Sequence, residues 1–224
     1  MTPAELTGRA RGHIEELDCP RCALHAQAST PFLRLRAAAA AAGFDLVPQS
    51  AYRDFDRQLR IWNAKFNGEA PVNDLSGKPV EALTLTPAQR IDAILVWSAL
   101  PGASRHHWGT DLDLIDRAAI PAGYRVQLVA EEYAPSGLFG PLGAWLETNA
   151  PRFGFFRPFR GVLSGVQAEA WHFSFAPLAE PARRALRVAD LRDALRGAPL
   201  AGKDAVLERL GELHERYVAR IDWP

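Results

Sequence analysis

The stretch Ser104-Arg105-His106-His107-Trp108-Gly109-Thr110-Asp111-Leu112-Asp113 restricts the fold more than any other part of this chain. His106 and Asp113, two side chains able to bind a metal, stand seven residues apart. That is not the i,i+4 spacing that places two ligands on one helix face. It suits a loop that runs into a strand, with Gly109 permitting a tight backbone turn between the two. From Asp111 to Asp116 acidic and apolar residues alternate, as in a strand. Asp111 and Asp113 then point to one face of a sheet, and Leu112 and Leu114 to the other. Downstream, Glu169-Ala170-Trp171-His172 brings a further carboxylate and imidazole.

A catalytic zinc site needs three protein ligands, an open position for water, and a base close to that water. His106, Asp113 and His172 can be the ligands, and Glu169 the base. Glu169 and His172 are three apart and would face opposite ways on an ideal strand. Glu169 must therefore sit in the loop before the strand, or the strand must bulge. Asp111 can orient a ligand imidazole, or it can add to the negative charge around the metal. His107, beside a candidate ligand, is expected to point elsewhere.

Ser104, His106, Gly109 and Asp113 form S-x-H-x-x-G-x-x-x-D, and Glu169, Trp171 and His172 form E-x-W-H. Together they resemble the signature of zinc D-Ala-D-Ala carboxypeptidases and dipeptidases of the VanY and VanX type. That group also holds lysostaphin-type endopeptidases and the hedgehog signalling domain. Ser50, Tyr52, Arg53 and Gln58 read S-x-Y-R-x-x-x-x-Q, which is similar to the VanY branch in particular. The likeness runs from about Ser50 to Phe175. It departs at Asp111, where the family usually carries a small residue. It implies one zinc per chain and a cleft lined by Ser50, Tyr52, Gln58 and Ser104. Arg53 has the charged planar fork that suits an oxyanion or a substrate carboxylate.

Three readings compete. One is a zinc carboxypeptidase acting on peptidoglycan-derived peptides. A second is a non-catalytic, hedgehog-like zinc module, disfavoured because Glu169 and Arg53 accompany the ligands. A third is an iron oxygenase with two histidines and a carboxylate, which expects a shorter His-x-Asp pair within a strand barrel. Within the first reading, the S-x-Y-R element favours a carboxypeptidase over a D-Ala-D-Ala dipeptidase. An L,D-carboxypeptidase trimming tetrapeptides in wall recycling is preferred to a D,D-carboxypeptidase on pentapeptides.

That preference rests on compartment. The start Met1-Thr2-Pro3-Ala4-Glu5-Leu6 lacks the basic start and apolar core of a secretory signal. A cytoplasmic protein is expected if Met1 is the natural start, and a periplasmic one if a signal has been removed. No apolar run is long enough to span a membrane as a helix. Zero formal net charge argues against a nucleic-acid partner. A 48% hydrophobic content is ample for a core. Positive charge is almost all arginine, since Lys65, Lys78 and Lys203 are the only lysines.

An α+β fold is expected, with a small central antiparallel sheet carrying the site, flanked by helices. Residues 1–29 are read as a polar leader, partly helical, 30–176 as the peptidase core, and 177–224 as a helical extension packed on it. Thr30-Pro31 predicts a helix start, Gly43 its end, and residues 44–50 a strand. Helices are expected from Asp54 to Phe66, from Thr86-Pro87 to about Leu100, and from Gly140 to Asn149. Short strands are expected at 154–156 and 170–175, and long loops at 67–85 and 117–136. Val206, Leu210, Leu213 and Tyr217 share a helical face. Cys19 and Cys22, in a C-x-x-C, are taken as incidental free thiols rather than half of a site with His13 and His25. His13, His25 and His214 are taken as structural.

Overall fold

The strand Asp111–Asp116 organises the molecule, and its alternation decides where everything else packs. The computed structural model describes residues 1–223. In chain order the first elements are a short helix α1 (Pro3–Leu6), a hairpin of β1 (Ile14–Asp18) and β2 (Arg21–His25), helix α2 (Ala26–Ala41) and strand β3 (Leu46–Ser50). Then come α3 (Phe55–Phe66), a small hairpin of β4 (Val72–Asn73) and β5 (Pro79–Val80), α4 (Pro87–Leu95) and β6 (Asp111–Asp116). The chain continues through α5 (Gly140–Asn149), β7 (Phe155–Phe156) and β8 (His172–Phe175). It ends in α6 (Ala176–Ala185), α7 (Val188–Arg196), α8 (Lys203–Glu208) and α9 (Leu210–His214), which runs into a wide turn, Glu215–Ala219.

The main sheet is antiparallel, four-stranded, and ordered β3-β6-β8-β7. Every residue of β6 is buried, so both of its faces are covered. Leu112 and Leu114 enter one core with Phe32 and Leu35 of α2, Leu142 and Leu146 of α5, and Phe173. The opposite face carries Asp111 and Asp113 towards the second, larger core. That core is built from α3, α4 and α6–α9, with Phe55, Trp62, Ile91, Leu191, Leu213 and Tyr217 among its members. Each fully buried leucine or phenylalanine contributes on the order of 1.5–3 kcal/mol of transfer free energy. The two cores clamp the sheet between them.

Helix α3 starts where the sequence predicts it. Asp54 caps it, accepting a hydrogen bond from the Arg57 amide at 2.7 Å, and Asn67-Gly68 ends it. Thr86 and Gln89 form the expected capping box of α4. That helix ends at Leu95, short of the expected Leu100.

Helix α2 begins at Ala26, not at Thr30-Pro31. His25 is its cap, its Nδ1 accepting from the Gln27 amide at 3.1 Å. Pro31 lies inside the helix and removes one bond, to the carbonyl of exposed Gln27. Burial of Ala28 and Ser29 against the core outweighs that loss.

Residues 1–29 contain α1 and a strand hairpin, where the sequence reading expects a partly helical leader. The hairpin is fixed to the sheet by Tyr52 N–H donating to Ala23 O at 3.0 Å. The C-terminal segment is broken into four helices. Val206, Leu210, Leu213 and Tyr217 nevertheless share one core.

Candidate active site

Cross-strand register builds the site. Ser50 of β3 pairs with Asp113 of β6, which pairs with His172 of β8, so three separate stretches of chain meet in one row. The preceding loop forms a single 3-10 turn, Arg105–Trp108, that delivers His106 to the same place. Gly109 ends the turn at φ +66°, and a Cβ there would stand 2.5 Å from the His25 amide nitrogen. Only glycine meets both demands.

One donor atom from each of His106, Asp113 and His172 lies within 4.8 Å of the others, and all three residues are buried. His106 Nδ1 is 2.8 Å from the Ala51 carbonyl and donates to it, which leaves Nε2 facing Asp113 Oδ2 at 3.4 Å. His172 Nε2 donates to Asp111 Oδ1 at 2.8 Å, which leaves Nδ1 facing Asp113 Oδ1 at 3.3 Å. Asp113 Oδ1 is buried without a hydrogen-bond partner. Two imidazoles with their outer nitrogens already engaged, converging on one carboxylate whose Oδ1 is orphaned, fit a three-ligand metal centre.

Asp111 is the outer support. It is fully buried, accepts from Arg105 Nε at 2.8 Å and Thr110 Oγ1 at 2.5 Å, and holds His172. Arg105 also donates to Ser174 Oγ at 2.7 Å. Burial pushes the Asp111 carboxyl up, but Arg105 and then His172 outweigh it and hold it well below the usual carboxylate range. Asp113 is likewise raised by burial and held down by His106 and His172. Burial pulls His172 down, but the surrounding Asp111, Asp113 and Glu169 hold it well above its ordinary value. The cluster thus concentrates negative charge around one point, where a bound cation would replace the proton.

Glu169 sits in the turn before β8, where His172 N–H donates to Glu169 O at 3.3 Å. Its Oε2 is 3.2 Å from His172 Nδ1. Position in the loop removes the strand-parity conflict. Trp171 packs behind with Val47, Ile115, Tyr133 and Phe139.

Arg53 forms no ion pair with Asp54 or Asp56. It donates through Nη1 to Gln58 Oε1 at 2.7 Å and through Nη2 to Ser50 Oγ at 3.0 Å, while its buried Nε has no partner. Gln58 is itself fully buried and anchored to Ala99 O at 2.7 Å. Ser50 and Gln58 therefore position Arg53. Tyr52 packs edge-on to His13 and under Arg11, and is not among the residues lining the cavity; Ser104 is. His107 braces the loop: Nδ1 donates to Arg53 O at 2.6 Å and Nε2 accepts from Gly102 N at 3.1 Å. Burial pushes it down to about 3, so it stays neutral.

The cluster opens into a cavity of about 440 Å³. Its walls include residues that the sequence reading did not assign to the site: Lys65, Trp97, Phe159, and, from the C-terminal helices, Tyr217 and His214, the last taken there as structural. The cysteines lie apart from it. Cys19 is in the hairpin turn and Cys22 beside it, both free, and burial pushes the Cys22 thiol up to about 11. His25 sits at the opposite end of that hairpin, paired with Ile14, so no Cys2His2 set forms.

A Haemophilus influenzae protein described only as uncharacterized is 36% identical over 121 residues, 53% of this chain and 92% of that one. The solved structure of VanYB in complex with D-Alanine-D-Alanine aligns over 88% of this chain and 90% of its own, at 21% identity and a TM-score of 0.55. A mutant of the vancomycin resistance D,D-pentapeptidase VanY in complex with Zn(II) aligns over 86% and 88%, at 22% identity and a TM-score of 0.52. These structures share the fold. The family model described as VanY, D-alanyl-D-alanine carboxypeptidase, matches residues 21–178, from the start of β2 into α6. Since that span holds the whole sheet and every member of the buried His/Asp cluster, this chain belongs to the VanY family.

Proposed function

We propose that the protein is a zinc-dependent carboxypeptidase that removes the terminal D-amino acid, D-Ala, from peptidoglycan stem peptides, with the L,D cut of a tetrapeptide as its main reaction. The observation that carries the hydrolase reading is the convergence of His106 Nε2, His172 Nδ1 and the orphaned Asp113 Oδ1 beside Glu169.

His106, Asp113 and His172 would hold the zinc. When bound, the ion polarises the scissile carbonyl and lowers the pKa of a coordinated water towards about 7. Glu169 Oε2 takes the proton of the attacking water and delivers it to the leaving amine. Arg53, fixed by Ser50 and Gln58, presents a preorganised positive fork to the charge at the carbonyl oxygen or to the substrate carboxylate. Ser104 lines the same cavity and offers a neutral hydrogen bond.

The L,D reading is supported by the space beyond the metal cluster. The cavity extends past the ligands to Lys65, Trp97 and the 127–131 segment. Glu132 pins that segment by accepting from Tyr124 Oη at 2.8 Å and Gln127 N at 2.9 Å. A tetrapeptide places a long diamino acid on the acyl side of the scissile bond and can use this room. A pentapeptide places a second D-Ala there and moves the diamino acid one residue further from the scissile bond. The tetrapeptide reading goes with a recycling role inside the cell, which fractionation of the native protein tests.

The deciding experiment is product analysis by mass on tetrapeptide and pentapeptide muropeptides side by side. Release of one D-Ala from the tetrapeptide is expected, abolished by a chelator and restored by zinc. Much faster release from the pentapeptide would replace the L,D reading with the D,D one.

A further inference from the structure

Arginine supplies 23 of the 26 positive side chains, and one of the three lysines, Lys65, is turned into the cavity. Lys65 lies in the last turn of α3, where a cation suits the helix dipole and would ordinarily be solvated. Here it is half-buried. Burial lowers its pKa, with Glu169 nearby raising it and Arg53 lowering it further. Among the described residues its ammonium has no hydrogen bond and no carboxylate within salt-bridge reach. A cation partly shielded from water and without a protein partner is ready to take an anion.

Arg53 and Lys65 flank the same helix. Arg53 precedes α3 beside the metal ligands, its amide donating to His106 O at 3.1 Å. Lys65 is about 15 Å further along the helix axis at the rise of an α-helix. Their backbones are set apart along α3, while both side chains line one cavity and the Lys65 charge is felt by Glu169 and Arg53. Glu131 also lines this cavity. A compact ammonium and a carboxylate on the walls of one cavity suit a chain end that carries both a negative and a positive group.

We infer that Lys65 is a specificity-determining residue that binds the side-chain carboxylate of the diamino acid on the acyl side of the scissile bond. It selects stem peptides containing diaminopimelate over those containing lysine. This rests on the carboxypeptidase reading above. Lysine lacks the carboxylate and presents only an ammonium, which Lys65 repels.

Product binding tests this without turnover. The tripeptide products ending in diaminopimelate and in lysine are titrated into the zinc-loaded protein by calorimetry. The parent protein should bind the diaminopimelate product at least tenfold more tightly. Lys65→Met and Lys65→Gln should remove that discrimination, Lys65→Arg should keep most of it, and zinc content and melting temperature should not change. Equal weakening of both products by Lys65→Met would assign the ammonium to a carboxylate the two share, and would overturn the inference. So would discrimination that persists without Lys65, or a parent protein that binds both alike. Failure of the carboxypeptidase reading shows separately, as absence of D-Ala release from either tetrapeptide.

Discussion

The two walls of the cavity are held in place by different forces. The metal wall is a chain of directional bonds: Ser174 to Arg105, Arg105 to Asp111, Asp111 to His172. The opposite wall, from the C-terminal helices, is mostly apolar, with Leu191, Leu213 and Val218 packed into the larger core. Among the described residues its one buried polar side-chain atom without a partner is the Tyr217 hydroxyl. Directional bonds fix atoms to a few tenths of an ångström, which chemistry needs. Packing fixes shape, which selection of a substrate needs. The first wall lies inside the family match and the second outside it.

The largest effect should come from the wall that does chemistry. Glu169→Ala removes the base but no ligand, so zinc and fold should remain while kcat falls by about 10²–10⁴. Turnover within a few-fold of the parent protein would move the base elsewhere and blur the contrast between the walls. Asp111→Asn tests the support rather than the ligand. It keeps the shape, loses the charge that orients His172, and should weaken zinc binding by about 10–100-fold in a titration against a competing chelator. Unchanged affinity would mean that the imidazole is oriented by the strand alone. The smallest effect belongs to the helical wall. Tyr217→Phe deletes a buried hydroxyl that has no partner, so melting temperature should hold or rise slightly. If the wall reads the peptide, KM rises a few-fold while kcat stays. An unchanged KM would make this wall a passive filler.

The metal wall was legible in the sequence because its chemistry tolerates few residue types, and because strand alternation places Asp111 and Asp113 on one face. Helix α3 was legible in the sequence from Asp54 to Phe66, and the structure adds that Asp54 caps it. The start of α2 was not: Thr30-Pro31 carries a sound local start signal, but burial of Ala28 and Ser29 extends the helix back to Ala26. The hairpin β1–β2 was hidden because Glu15, Glu16 and Asp18 are exposed, so no apolar alternation marks it. Lys65 and Tyr217 were not assigned to the site because their place on the cavity wall comes from position in space. Neither belongs to a motif.

The loop carrying His106 is gripped from both ends of the chain. Trp108 Nε1 donates to Leu6 O at 3.1 Å, and Gly109 O accepts from the His25 amide at 2.8 Å. Gly102, within the same loop, packs against Leu191 of α7. A ribosome that has just made the E-x-W-H segment has therefore not yet made the residues that close the far wall. The early partners wait for the late ones, and long-range closure is the slow part of assembly. A nascent chain of this design carries its complete ligand set some time before it has a substrate-shaped cavity.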